Sequence, residues 1–237
     1  MNTPVTANLA SAFAPAPTRW DELKATVSTV TDIAATLDSD GIDVFFLNRE
    51  PVRNVTGPSA ALDAAFAPRP GGYTPITRVL REVLAEKWLS VNQADRKKLL
   101  ILIATDGQPT TDSGQLDHQA LKHVLMYERG GPGQVPVAFL VCTDDDDEIE
   151  YLNEWDNSIR DLDVIDDYHT ERKQILGIQG KGFPFSRGDW VCKMLLGAID
   201  PEIDALDETP VHLMREGVKR ASTTQSSLRR QDSCEIQ

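Results

Sequence analysis

Two short stretches of this chain combine residue types that can do chemistry. Gly71-Gly72-Tyr73-Thr74-Pro75 pairs glycines, whose backbone passes close to a neighbour, with a hydroxyl at the start of an apolar-periodic run. The Thr74 hydroxyl either caps that helix or ligates a hard cation. Thr105-Asp106-Gly107-Gln108-Pro109-Thr110 follows the apolar run Leu99–Ala104. Asp106 therefore leaves the end of a strand, where a carboxylate either caps the next turn or binds a ligand at the rim of a parallel sheet.

Other constellations carry less. Asp38-Ser39-Asp40-Gly41 is similar to the Asp-x-Asp-Gly opening of haloacid dehalogenase-type phosphatases, where the first aspartate is a nucleophile and the second an acid/base. Here the residues before it have helical spacing, not that of a buried strand. Asp144–Asp147 with Glu148 lacks the alternation of a calcium loop and reads as a solvated acidic loop. His118, His123, His169 and His212 share no metal-like spacing, and no serine or cysteine stands in an evident partnership with them. There is no phosphate-binding Gly-x-x-x-x-Gly-Lys loop, and Gly130-Gly131-Pro132-Gly133 is a turn. In the tail, Lys219-Arg220-Ala221-Ser222 and Arg229-Arg230-Gln231-Asp232-Ser233 match basophilic kinase sites.

The elements that must position Thr74 and Asp106 follow from apolar periodicity. Trp20, Leu23, Val27, Val30, Ala34 and Leu37 recur at three and four, which predicts one helix face, closed by Asp38–Gly41. Ile42–Leu47 predicts a buried strand and Val52–Val55 a short edge strand. Thr74-Pro75 opens a helix with Ile76, Val79, Leu80, Val83, Leu84 and Trp88 on its face. Leu99–Ala104 runs without alternation, as a strand covered on both faces does. A helix through Leu116, Ala120, Leu121, Val124 and Leu125, a buried strand Val135–Cys142, a helix Tyr151–Ile159 and a short strand Val164–Ile165 follow. Trp190, Val191, Met194, Leu195 and Ala198 mark a last helix, stopped at Asp200-Pro201. Alternating helices and doubly buried strands predict an α/β sandwich around a mainly parallel sheet, with ligands beyond the strand ends after Leu47, Ala104 and Cys142.

Composition bounds the function. With 24 Lys+Arg against 37 Asp+Glu the net charge is −13, which argues against nucleic-acid backbone or anionic membrane as partner. Twelve of the acidic residues fall in Asp144–Thr170 beside one basic residue, Arg160. No apolar run reaches membrane-spanning length. Three separated cysteines, Cys142, Cys192 and Cys234, exclude a disulfide scaffold and predict reduced thiols in a cytoplasmic protein. Residues 1–18 are an uncharged Ala/Pro-rich lead-in without the basic start of a secretory signal; 19–205 form the expected domain and 206–237 a flexible Ser/Thr/Arg-containing tail.

Taken together, the glycine-rich loop with Thr74-Pro75, the strand ending in Thr105-Asp106-Gly107, the Trp20 helix, Asp40-Gly41-Ile42-Asp43-Val44 and Phe46-Leu47-Asn48 resemble the von Willebrand factor type A (vWA) domain of intracellular proteins, over about Arg19 to Asp204. That resemblance implies a Rossmann-like three-layer sandwich with a metal ion-dependent adhesion site. Its Mg²⁺ is held by an Asp-x-Ser-x-Ser motif, a threonine and a later aspartate, and a protein ligand supplies the last carboxylate. Thr74 matches the threonine and Asp106 the later aspartate. The Asp-x-Ser-x-Ser motif, expected just before Arg19, is replaced by Ala10–Thr18, and the strand leading into it is missing, with Val5–Phe13 a weak substitute. The only Asp-x-Ser in the chain is Asp156-Asn157-Ser158, with Arg160 at the last motif position. The expectation is therefore a non-enzymatic interaction module with a degenerate site and weak or no Mg²⁺ binding. The alternatives are a Mg²⁺-dependent phosphatase using Asp38 and Asp40, and a non-functional truncated or alternatively spliced fragment.

Overall fold

The structure, a computed structural model, describes residues 18–91, 98–143 and 146–213, with the side chains of 88–91 and 146 excluded. Almost all of the expected lead-in, Trp88 as a core residue, Asp144–Asp145, and the tail from residue 214 with its kinase-type serines lie outside the described residues. The chain divides into two compact units between Asp167 and Tyr168.

The first unit is mixed α/β. Helix α1 (Arg19–Leu37) begins at a capping box: Asp21 N–H donates to the Thr18 hydroxyl, and the Asp21 carboxylate accepts from Thr18 N–H at 2.8 Å. It ends at Asp38, and the turn to Gly41 follows. Strands β1 (Ile42–Val44) and β2 (Val52–Val55) form an antiparallel pair. The expected buried strand Ile42–Leu47 is shorter and only half-buried. Past Val44 the chain leaves the pairing: Phe46 turns edge-on to Phe66, whose ring lies tilted against Trp20 at 4.6 Å, and Arg53 lies over Phe45. Helix α2 (Ala60–Phe66), capped by Ser59, was not expected from the sequence; Leu62 and Phe66 are its buried positions.

Helix α3 (Ile76–Val91) buries the expected face Ile76, Val79, Leu80, Val83 and Leu84. Strands β3 (Ile101–Thr105), β4 (Val137–Val141) and β5 (Leu162–Ile165) form a parallel sheet in that order. Among the described strands only β4 is buried at every residue; β3, expected to be covered on both faces, is half-buried along Ile101–Ala104 and has β4 as its one strand neighbour among the described residues. Helix α4 (His118–His123) continues into a π-helical turn, Val124–Glu128. Leu116, expected on its apolar face, is instead 66% exposed, since it forms an isolated bridge with Thr110 two residues before the helix starts. Helix α5 (Asp146–Ser158) follows β4. The core joins Ile76, Leu80 and Leu84 of α3, Leu121, Val124 and Leu125, Phe139 of β4, and Leu152 and Trp155 of α5. These helices and the parallel sheet are compatible with a Rossmann-like α/β arrangement.

The second unit is helical: α6 (Tyr168–Gln179), α7 (Arg187–Leu196), the single turn α8 (Pro201–Asp204) and a 3₁₀ turn, Ala205–Asp207. α7 ends at Leu196 with Gly197 as its C-cap, four residues before the stop expected at Asp200-Pro201; that pair instead starts α8, with Asp200 as cap and Pro201 in the first turn. Lys193 Nζ lies 3.1 Å from the Glu171 carboxylate, both side chains 1% exposed, with Asp207 at 3.5 Å.

Candidate functional site

The loops after β1 and β3 and the turn before α3 meet at one rim. Asn48, four residues beyond β1, donates through Nδ2 to the Gly71 carbonyl at 3.2 Å and the Tyr73 carbonyl at 2.7 Å. Gly72 (φ +102°) packs against that amide so closely that a Cβ would lie 2.8 Å from Nδ2. A side chain there would be strained and would displace Asn48. Arg78 of α3 donates through Nη2 to the Leu47 carbonyl at 2.9 Å.

Thr74 is latched to the loop after β3 from both sides of its peptide unit. Its N–H donates to Thr110 Oγ1 at 2.8 Å, and its carbonyl accepts from Thr110 N–H at 2.9 Å. The expected hydroxyl cap does not form: α3 starts at Ile76 directly after Pro75, and the Thr74 hydroxyl is in none of the hydrogen bonds among the described residues. Asp106 is the half-buried first residue past β3, four positions before Thr110. The buried Thr105 shapes this exit: its hydroxyl donates to the Gly107 carbonyl at 3.0 Å. The structure thus holds Thr74 against the loop that follows Asp106.

It also brings to the rim residues that the sequence named without placing them there. Glu148 of α5 accepts from Gln108 N–H at 3.3 Å, which carries a member of the acidic run to the Asp106 loop. Beside it, His118 stacks on Tyr151 at 4.5 Å, and Tyr151 meets Trp155 edge-on at 4.9 Å. Burial, followed by the Glu148 charge, pushes the Tyr151 phenol above its ordinary value. The helical spacing of 151 and 155 announced this face; the partner His118, from another helix, it did not. Tyr73, 55% exposed, lies over Gly114 (φ +82°), and with Leu116 gives the rim an apolar surface. An open groove of about 450 Å³ borders it, lined by Pro75, Arg78, Arg81, Thr110 and Asp112. Both its guanidinium groups are already paired, Arg78 with Asp112 and Glu82, Arg81 with Glu128.

The donor set does not fit Mg²⁺. That ion demands six oxygens in near-octahedral array. Thr74 contributes one hydroxyl and Asp106 one carboxylate, and Asp106 belongs to no cluster of three carboxylate, histidine or cysteine ligands among the described residues. Glu148 already accepts from a backbone N–H. Asp156-Asn157-Ser158 lies in the last turn of α5, not past a strand.

The phosphatase-like residues sit elsewhere. Asp38 closes α1, its carboxylate accepts from Asp40 N–H at 3.2 Å, and both precede β1 instead of following a strand. Cys142 and Cys192 are free thiols; burial pushes the Cys142 thiol up to about 12. No helix among the described residues is long and apolar enough to cross a membrane. Comparison with family models, curated proteins and solved structures gives no match.

Proposed function

We propose that the chain is a vWA-like protein–protein interaction module, not an enzyme, whose metal ion-dependent adhesion site is degenerate and binds Mg²⁺ weakly or not at all. The observation that carries this reading is the latch between Thr74 and Thr110. It holds the threonine loop against the loop of Asp106, beyond the strand ends, where ligands of parallel α/β sheets bind. The rim's loops are hydrogen-bonded to one another and carry an aromatic side chain, Tyr73, at the surface. Exposed aromatic anchors of this kind carry interface energy. Contacts of a partner to Tyr73 and Leu116 need no cation.

Selection of peptides from a displayed library tests the proposal. Enriched peptides are expected to lose about tenfold or more in affinity on Tyr73→Ala, to respond to Asp106→Ala, and to be indifferent to Lys24→Ala on α1. Binding untouched by both rim variants overturns the reading. So does turnover of p-nitrophenyl phosphate in Mg²⁺ that Asp38→Asn abolishes.

A further inference from the structure

The groove beside the rim holds two polar groups for which the fold has no use. Thr77 lines it and is 3% exposed, yet its hydroxyl has no hydrogen-bond partner among the described residues. A helical threonine ordinarily donates back to a carbonyl three or four residues earlier. Here those carbonyls belong to Thr74 and Tyr73, and both are engaged. Tyr73 accepts from Asn48 Nδ2 at 2.7 Å, and Thr74 accepts from the Ile76 and Thr110 N–H groups at 2.8 and 2.9 Å. A buried hydroxyl without a partner is destabilising until a ligand supplies the missing bond. Asp117 lines the same groove. It stands at the N-cap of α4, where an aspartate ordinarily accepts from first-turn N–H groups, but it makes no such bond. Its carboxylate is in no hydrogen bond or ion pair among the described residues. The cations of the groove are committed elsewhere. Arg78 is held by Asp112 and Glu82, and Arg81, within range of the Asp117 charge, is gripped by Glu128 through two bonds. Two arginines thus stand against four carboxylates, Glu82, Asp112, Asp117 and Glu128, in a protein of net charge −13.

We propose that this groove takes an arginine side chain of a partner protein, carried on a segment whose neighbouring apolar residue covers Tyr73 and Leu116. The inference names the partner chemistry of the rim and so rests on the interaction-module reading. Charge complementarity selects a cation: an acidic side chain entering here would meet the Asp117 carboxylate with nothing to neutralise it. A guanidinium carries five N–H donors in a planar fork, enough for the carboxylate and the lone pairs of the Thr77 hydroxyl together. Pro75 and Ala85 give apolar walls to its methylene stem. The surface also continues. A second hollow of about 640 Å³ shares Arg78 and Glu82 with the groove and is lined beyond them by Phe45, Phe46 and Pro51. Two adjoining hollows suit an extended segment of chain better than an isolated small amine.

Peptides selected from a displayed library on the full-length chain test this. Enriched sequences are expected to share an arginine beside an apolar residue. Their affinity, measured by calorimetry, is expected to fall about tenfold with Asp117→Asn and about threefold with Thr77→Val. Glutamine in place of the peptide's arginine is expected to cost about tenfold against the wild type and almost nothing further against Asp117→Asn, a coupling that a merely structural aspartate would not give. Should Asp117→Asn fail to fold, the peptide replacement and Thr77→Val decide. Thr77→Val, free of ligand, is expected to melt no lower than the wild type; a lower melting temperature shows that the fold uses the hydroxyl and overturns the proposal. Enrichment of acidic or arginine-free peptides overturns it too, as does an affinity that ignores Asp117→Asn. If those same peptides still weaken with Tyr73→Ala, the rim reading stands and only the arginine is lost. If they ignore both variants, or if nothing enriches, both readings fall.

Discussion

Arg129 clamps three segments around the parallel sheet. It is 7% exposed and holds its guanidinium among main-chain carbonyls: Nε donates to Leu125 at 2.5 Å, Nη1 to Val135 at 2.9 Å and Asp161 at 2.6 Å, and Nη2 to Arg160. One side chain thus ties the π-helical turn to the entries of β4 and β5. Burial draws its pKa below the usual arginine range, and the Asp161 charge opposes that. No local pattern in the sequence announces this, because the four carbonyls come from segments up to 32 residues away. Arg129→Met keeps much of the apolar volume and leaves these acceptors without their donor. An unsatisfied buried group costs about 1–3 kcal/mol, so a loss of about 3 kcal/mol or more is expected in urea unfolding of the full chain. A change within about 0.5 kcal/mol, the ordinary range of a surface substitution, would refute the clamp.

At the scale of elements, α3 and the π-helical turn are joined by Glu128. Arg81 grips its carboxylate in two parallel bonds of 2.8 and 2.7 Å, and His123 Nδ1 stands 3.0 Å away. The Arg81 bonds, with His123 behind them, hold the Glu128 carboxyl at about 2, below its ordinary 4.5. Because the folded pKa is the lower one, this stabilisation is complete above about pH 4.5 and drains away between there and pH 2. Glu128→Gln is therefore expected to lower the melting temperature at pH 7 and to converge on the wild type by pH 2; a constant difference across that range would show the carboxylate's charge to be idle. The same elements explain what was readable. The amphipathic faces of α3 and α7 were legible because local spacing decides them, and so were the strand identities of β4 and β5; on α1 Leu23 and Val30 are buried, but Leu37, expected on the same face, is 84% exposed. The rim was legible because strand ends and glycine turns mark it. The rank of β3 was not, since an apolar run says that a strand is covered but not which neighbours it has. Helix α6 escaped because a core position holds Glu171, whose partner Lys193 stands 22 residues on, so its pattern looks polar until the pair is seen. Leu116 escaped because its bridge to Thr110 interrupts an otherwise helical spacing.

The whole molecule carries −13, and the charge acts against compactness. Exposed pairs such as Lys24–Asp63 at 2.7 Å and Lys122–Glu154 at 2.9 Å oppose it, but such pairs contribute about 0–1 kcal/mol each and do not offset thirteen uncompensated charges. Between about 0.01 and 0.15 M salt the screening length falls from about 30 Å to about 8 Å, which quenches the long-range repulsion more than the contact pairs. The melting temperature is therefore expected to rise with NaCl, and a fall would mean that the pairs dominate. This background bears on the metal question, because Mg²⁺ also screens. A bound ion at 100 times its dissociation constant would add about 2.7 kcal/mol, or roughly 5–10 °C for a chain of this size. A rim with one hydroxyl and one carboxylate to offer should give no such increment. The decisive comparison is between the wild type and Asp106→Ala in MgCl₂, each measured against NaCl of equal ionic strength. The two proteins are expected to shift alike, within about 1 °C. A Mg²⁺-specific stabilisation that Asp106→Ala removes would establish a working cation site at the end of β3 and end the reading of it as degenerate.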